Sequence, residues 1–263
     1  MHIDVHAYVG HWPFRQLRGN TCRDLVERLD AFGIDQAWVG NINGMFYKNC
    51  QKANEELAAA AAAFPGRLVP FTTLNPTYPD WEYDLDICVN RLGMKGLRLY
   101  PQYHGYDAGD EACMAIVQAA QAHGLPVAFT MRLVDERQQS WIDPAKRLGM
   151  EQIAQVVEKA PSGKYLVLHA YPSDLKSRAA KQAMKKANVL FDTVYGSGVP
   201  VGFINAYPLK TAINEFGPGK FAFGTATPFR DYESHILRIE TFREADAELK
   251  AALYGGNAEG FLR

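Results

Sequence analysis

No block of like charge runs through this chain. Lysine and arginine total 28, aspartate and glutamate 29, and the formal net charge is −1. The densest basic stretch, Lys176 to Lys186, has the spacing of a solvated helix face. A nucleic-acid groove or an anionic membrane surface therefore has little to attract it. Cysteine is scarce too: Cys22, Cys50, Cys88 and Cys113 stand far apart, with no C-x-x-C. That spacing argues against a zinc knuckle or a disulfide framework and fits reduced thiols in a cytoplasmic protein. Long apolar runs are missing as well. The longest, Leu57 to Phe64, is alanine-rich and too short for a bilayer. No basic start with an apolar stretch behind it suggests a signal peptide. There is no G-x-S-x-G elbow, no H-E-x-x-H, and no glycine-rich dinucleotide fingerprint after the first β-prone run. Serine hydrolase, zincin and open nucleotide-binding readings have nothing to rest on.

What is present is regular alternation. The 263 residues, 48% of them hydrophobic, suit one α/β domain over 1–263. Strand-like runs occur at Ile3–Val5, Ile34–Val39, Leu68–Leu74, Met94–Tyr100, Leu125–Met131, Tyr165–His169, Val189–Val194 and Lys220–Gly224. Helical patterns separate them: Thr21 is placed to cap one with Leu25, Leu29 and Phe32 along one face, stopped by Gly33. Eight strands alternating with helices imply parallel pairing through right-handed crossovers. Eight near-regular repeats over this length predict a (β/α)8 TIM-like barrel, with some distortion allowed.

In a barrel the residues to read are those at the C-terminal strand ends. In order these are His6 and Tyr8, Asn41 and Asn43, Thr73 and Asn75, Arg98 and Tyr100, Thr130 and Arg132, His169, Asp192 and Tyr195, and Thr225 with Thr227. His6 and His169 come from strands that face each other across a barrel mouth. Two imidazoles fall short of the three protein ligands a catalytic zinc usually takes, and Asp192 is the one carboxylate in the ring. His2, His104, His123 and His235 read as exposed. The turn Gly196-Ser197-Gly198 could receive a phosphate through backbone amides. The segment Arg132 to Leu148 is long for a βα loop and is a lid candidate.

Several stretches together carry a resemblance. They are Ile3-Asp4-Val5-His6-Ala7-Tyr8-Val9-Gly10, Phe64-Pro65-Gly66-Arg67-Leu68-Val69-Pro70, and Gly93 to Pro101. Leu166-Val167-Leu168-His169, Phe223-Gly224-Thr225-Ala226-Thr227-Pro228-Phe229 and Gly256 to Leu262 complete them. In order and spacing they resemble the amidohydrolase-related (amidohydrolase-2 type) group of the amidohydrolase superfamily. The resemblance implies a distorted (β/α)8 barrel that hydrolyses, hydrates or decarboxylates small acids, lactones and ring compounds. It also implies His-x-His after strand one, where this chain has His6 and Tyr8. A histidine is implied after strand five, where the chain runs Phe129-Thr130-Met131-Arg132. The strand-six histidine is His169, and the strand-eight aspartate falls on Ala226. On this comparison the family's metal site is degraded.

These residues lead to one expected function and two alternatives. The first is an amidohydrolase-like hydrolase acting without a bound metal on a small carboxylate-bearing compound such as a lactone. Its catalytic residues would be His6, His169, Asp192 and Tyr8, with an Asp192-oriented histidine as general base and Tyr8 donating to the oxyanion. Arg98 or Arg132 would hold the substrate carboxylate bidentately, and Tyr100, Thr130, Tyr195 and Thr225 would line the pocket. No cofactor is expected, a divalent metal such as zinc being the less favoured alternative. The other readings are a non-catalytic barrel that binds a small ligand, and a metal-dependent hydrolase whose atypical ligands include Asp192 or His11. The expected partner is a small-molecule substrate or ligand rather than nucleic acid or membrane, and a homo-oligomer is compatible with the chain.

Overall fold

The computed structural model describes residues 1–135, 139–194 and 206–262; Tyr195 and the Gly196-Ser197-Gly198 turn lie outside them. All eight expected strands form. They are β1 (Ile3–Val9), β2 (Gln36–Asn41), β3 (Leu68–Pro70) with β4 (Thr72–Thr73), β5 (Leu97–Leu99), β6 (Val127–Thr130), β7 (Lys164–Leu168), β8 (Asn188–Asp192) and β9 (Phe221–Ala222). The third expected strand is split at Phe71, whose N–H still reaches back to the Val39 carbonyl at 2.8 Å. Pairing is parallel in the orders β1-β2-β3 and β4 through β9. Hydrogen bonds join the last strand to the first: Val5 N–H to the Phe223 carbonyl at 2.9 Å, and Ala226 N–H to the His6 carbonyl at 2.7 Å. The architecture is a TIM barrel.

Helices start where the side chains can satisfy free N–H groups. Thr21 and Asp24 form a reciprocal capping box for the helix Cys22–Ala31, and Gly33 follows at φ +65°. Asp110 caps Glu111–Ala122 through Cys113 N–H. Leu25, Val26 and Leu29, and likewise Ile116, Val117 and Ala120, pack between the helices and the barrel's outer wall.

The first strand changes face part-way along. Its register with β2 shifts between Asp4 and Ala7. Ile3 and Val5 pack in the barrel interior with Trp38, Phe71, Leu166, Leu168 and Leu190, whereas Ala7 and Val9 pack outward under the helices. His6 and Tyr8 are thereby left facing the mouth. Above them a third apolar cluster of Trp12, Leu17, Met45, Leu133, Val134 and Phe229 covers the barrel's upper end. Leu133 and Val134 belong to the expected lid segment, and Trp141 on the same segment is 95% exposed.

Among the described residues no helix is long and apolar enough to cross a membrane, and all four cysteines are buried and free.

Asp4 ties the closing seam. Its fully buried carboxylate accepts from Thr225 Oγ1 at 2.6 Å, Tyr232 Oη at 2.8 Å, His6 N at 2.9 Å and Thr225 N at 3.1 Å. Four donors converge on two oxygens, so an amide in its place would turn an NH2 toward a donor. Asp4→Asn is expected to lower the unfolding free energy by about 2–3 kcal/mol in urea titrations at pH 7, because buried donors lose their acceptor. An unchanged midpoint would contradict this seam.

Candidate active site

The barrel mouth is organised by a line of side chains from three strand ends. Asp192, closing β8, pairs through Oδ2 with His6 Nδ1 in a short contact. The same oxygen accepts His169 N–H at 2.8 Å, and Oδ1 accepts Ala170 N–H at 3.3 Å. His6 Nε2 lies 3.0 Å from Tyr8 Oη, which lies 3.2 Å from Thr130 Oγ1. All of these side chains are fully buried. Gly224 passes close to the pair: a Cβ there would sit 3.0 Å from the Cβ atoms of both Asp192 and His6.

Protonation follows from burial. Desolvation lowers the His6 pKa against the raising effect of Asp192, and raises that of Tyr8 well above 10. Neutral His6 gives its Nδ1–H to Asp192, so Nε2 carries a lone pair toward the Tyr8 hydroxyl; the tautomer is assigned from this network. Arg98 lies over the Tyr8 ring at 4.7 Å. Its positive charge opposes part of the burial cost of forming tyrosinate. His169 is pushed well below 6.5 by burial, then by Arg230 and Arg132.

The expected residues divide clearly. His6, Tyr8, Thr130 and Asp192 come together, with His169 beside them. Arg132 also reaches the mouth: its Nε donates to His169 Nε2 at 3.2 Å, its NH2 group meets Tyr171 Oη, and it borders a cavity of about 20 Å3 with Gln102, Leu133 and Asp143. Arg98 needs correction as a substrate anchor. It is fully buried and gives its guanidinium to the carbonyls of Ala7 at 3.1 Å and Trp38 at 2.7 Å. It passes over Gly40, where a Cβ would meet its Cδ at 2.9 Å. Thr225 is corrected too, because its hydroxyl serves Asp4. Tyr100 packs inside the apolar cluster beside Tyr8. His11 lies at the surface, its Nδ1 3.2 Å from the Asn20 side-chain amide.

Two residues close to the site escaped the sequence reading. His235, expected at the surface, is 2% exposed on the helix Tyr232–Glu240. Tyr232, His235, Arg238 and Ile239 form its buried face, and this three-to-four spacing was the available signal. Arg230 lies in the loop after β9, and its charge acts on both His6 and His169. Nothing in its local sequence marks it.

Barrel, seam and mouth define an α/β-barrel protein with a polar site at the C-terminal strand ends. The chain belongs to the amidohydrolase family, whose model matches residues 3–263. A putative amidohydrolase from Staphylococcus aureus is similar at 15% identity and TM-score 0.77, over 99% of each chain. A 5-carboxyvanillate decarboxylase from Novosphingobium aromaticivorans, with bound manganese and 4-hydroxy-3-methoxy-5-nitrobenzoic acid, is similar at 15% identity and TM-score 0.76. It covers 100% of this chain and 96% of that one. A dihydroxybenzoic acid decarboxylase from a Polaromonas species, with manganese and 2-nitroresorcinol, is similar at 16% identity and TM-score 0.75, over 99% and 96%.

These structures correct the expectation that no cofactor belongs in such a barrel, since two of them hold manganese. The donor set of this chain does not reproduce a three-ligand centre as placed. Both His6 nitrogens face Asp192 and Tyr8, and His169 Nε2 faces Arg132. Among the described residues no group of three or more His, Cys, Asp or Glu side chains is arranged to hold a metal.

Burial of the imidazoles predicts acid sensitivity. The pKa values of His6, His169 and His235 are all lower folded than unfolded. Below about pH 6.5 the unfolded chain therefore takes up protons that the folded one refuses. Their contribution is complete above that pH and is lost on acidification, by up to ~1.4 kcal/mol per unit for each imidazole. Asp4, pushed up to about 6 by burial, opposes this as a single group, because the folded state protonates it more readily. Urea midpoints are expected to fall between pH 7 and pH 5, with net proton uptake on unfolding. A midpoint that rises over this range would contradict the assignment.

Proposed function

We propose that this protein is an enzyme acting on a small carboxylate-bearing compound, and that the Asp192–His6–Tyr8–Thr130 line handles a proton at Tyr8 Oη. That line is the observation carrying the reading: a buried carboxylate orients an imidazole, which accepts from a phenol, which meets a hydroxyl. Asp192 and His6 are positioning groups, Tyr8 the proton-transferring one, and Arg132 the cation bordering the mouth.

The step this arrangement favours is decarboxylation of an aromatic carboxylate. The carbon–carboxylate bond breaks, carbon dioxide leaves, and the ring carbon takes a proton from Tyr8, which recovers it from solvent after product release. Two features support this over hydrolysis. The apolar cluster above Tyr8 keeps water away, and decarboxylation consumes none. A dry surrounding also disfavours the compact carboxylate charge relative to the dispersed charge that develops as carbon dioxide departs. The two decarboxylases of similar fold act on compounds of this class. Lactone hydrolysis is the second reading, favoured by the His6 lone pair facing the Tyr8 hydroxyl, which would let tyrosinate form as a base.

The test is a panel of dihydroxybenzoic acids, 5-carboxyvanillate and simple lactones, run with and without added manganese. Carbon dioxide release with one deuterium on the product ring in D2O is expected. Tyr8→Phe should lower kcat at least 100-fold while still folding, as removal of a proton-transfer group does. Lactone opening without carbon dioxide release would decide for the second reading. Full activity in Tyr8→Phe would remove both.

A further inference from the structure

The wall of the mouth behind His169 is cationic. Arg132, Arg230, Arg238 and His235 act on one another and on His6 and His169. Some of these groups are occupied: Arg238 donates to the Thr193 carbonyl at 2.8 Å, and Arg132 is held by His169 and Tyr171. The Nε of Arg230 is buried and meets no acceptor among the described residues, and the same is true of the Nε of Arg238. Neither ring nitrogen of His235, itself 2% exposed, has a hydrogen-bond partner among them.

Such an arrangement is costly by itself. A guanidinium drawn partly out of water among other guanidiniums, beside an imidazole with two unused nitrogens, destabilises the fold. Desolvation and the neighbouring guanidiniums of Arg132 and Arg238 all work against the charge on Arg230, and only Tyr171 and Asp135 favour it. Asp192, the carboxylate nearest the histidines, is already taken by His6 and two backbone N–H groups. The orphaned donors suit a ligand that supplies oxygens.

We infer that Arg230 and His235 form the anion-binding part of the mouth, receiving a carboxylate of the ligand, and that Arg230 fills the role first expected of Arg98. This rests on the reading of the mouth as a site for carboxylate-bearing compounds. An arginine offers two parallel N–H groups to a carboxylate, a geometry a lone ammonium lacks. His235 would add one N–H donor from the helix behind it. Tyr8 and Arg230 then have separate tasks, the first moving a proton and the second holding the anion.

The experiment measures binding without turnover, using the full chain, with benzoate and inorganic phosphate as probes in titration calorimetry. Wild type, Arg230→Gln, Arg230→Lys, His235→Gln and a surface control, Arg243→Gln, are compared, each with its thermal midpoint in the absence of ligand. Benzoate is expected to bind wild type and Arg243→Gln alike. It should bind Arg230→Gln at least tenfold more weakly, with partial recovery in Arg230→Lys and an intermediate loss in His235→Gln. Unliganded Arg230→Gln should melt no lower than wild type, since a cation crowded by Arg132 and Arg238 has been removed. A structural arginine would show the reverse: a lower midpoint with unchanged benzoate affinity, which overturns the inference. Benzoate that fails to bind wild type, or Arg230-dependent binding of phosphate alone, overturns it too. Loss of the decarboxylation reading with Arg230-dependent benzoate binding intact would leave this inference standing.

Discussion

The Asp192 carboxylate is the point on which the upper half of the barrel depends. It takes the imidazole of His6 from β1 and the N–H groups of His169 and Ala170 just beyond β7, while itself ending β8. One side chain thus fixes the relative height of three strand ends. Gly224 is part of the same arrangement, because a Cβ there would press on the Cβ atoms of both His6 and Asp192 at 3.0 Å. Rotamer, tautomer and backbone position at the mouth are therefore set together.

Dryness is the second constraint. His6, Tyr8, Thr130 and Asp192 are fully buried beneath Trp12, Leu17, Met45, Leu133, Val134 and Phe229. In that surrounding each charge is worth more than in water, and each missing partner costs more. It is why His6 stays neutral and why Tyr8 keeps its proton.

Much of this was legible in the sequence, for definite reasons. Parallel α/β alternation is written in hydrophobic periodicity, so the eight strand positions could be read directly. Strand ends nominated His6, Tyr8, Thr130, His169 and Asp192. Position at a strand end names the residue but not the reach of a long side chain. Arg98 leaves the end of β5 and turns down into backbone carbonyls, a direction set by the gap over Gly40 that no local pattern shows. Thr225 was lost to Asp4 in the same way, through a partner 221 residues away. Helical spacing could have found His235; Arg230, in a loop, carried no comparable signal. The absence of a cofactor was inferred from missing ligand positions, and solved relatives with manganese show how weak an argument that was.

The clearance between Gly40 and Arg98 has a consequence for how this barrel can vary. A side chain at 40 collides with the guanidinium arm, while a shorter residue at 98 leaves the Ala7 and Trp38 carbonyls without donors and a void above Gly40. Neither position can drift alone without passing through a damaged intermediate. In descendants of this sequence the two should exchange as a linked pair, a bulkier residue at 40 arriving with a smaller one at 98.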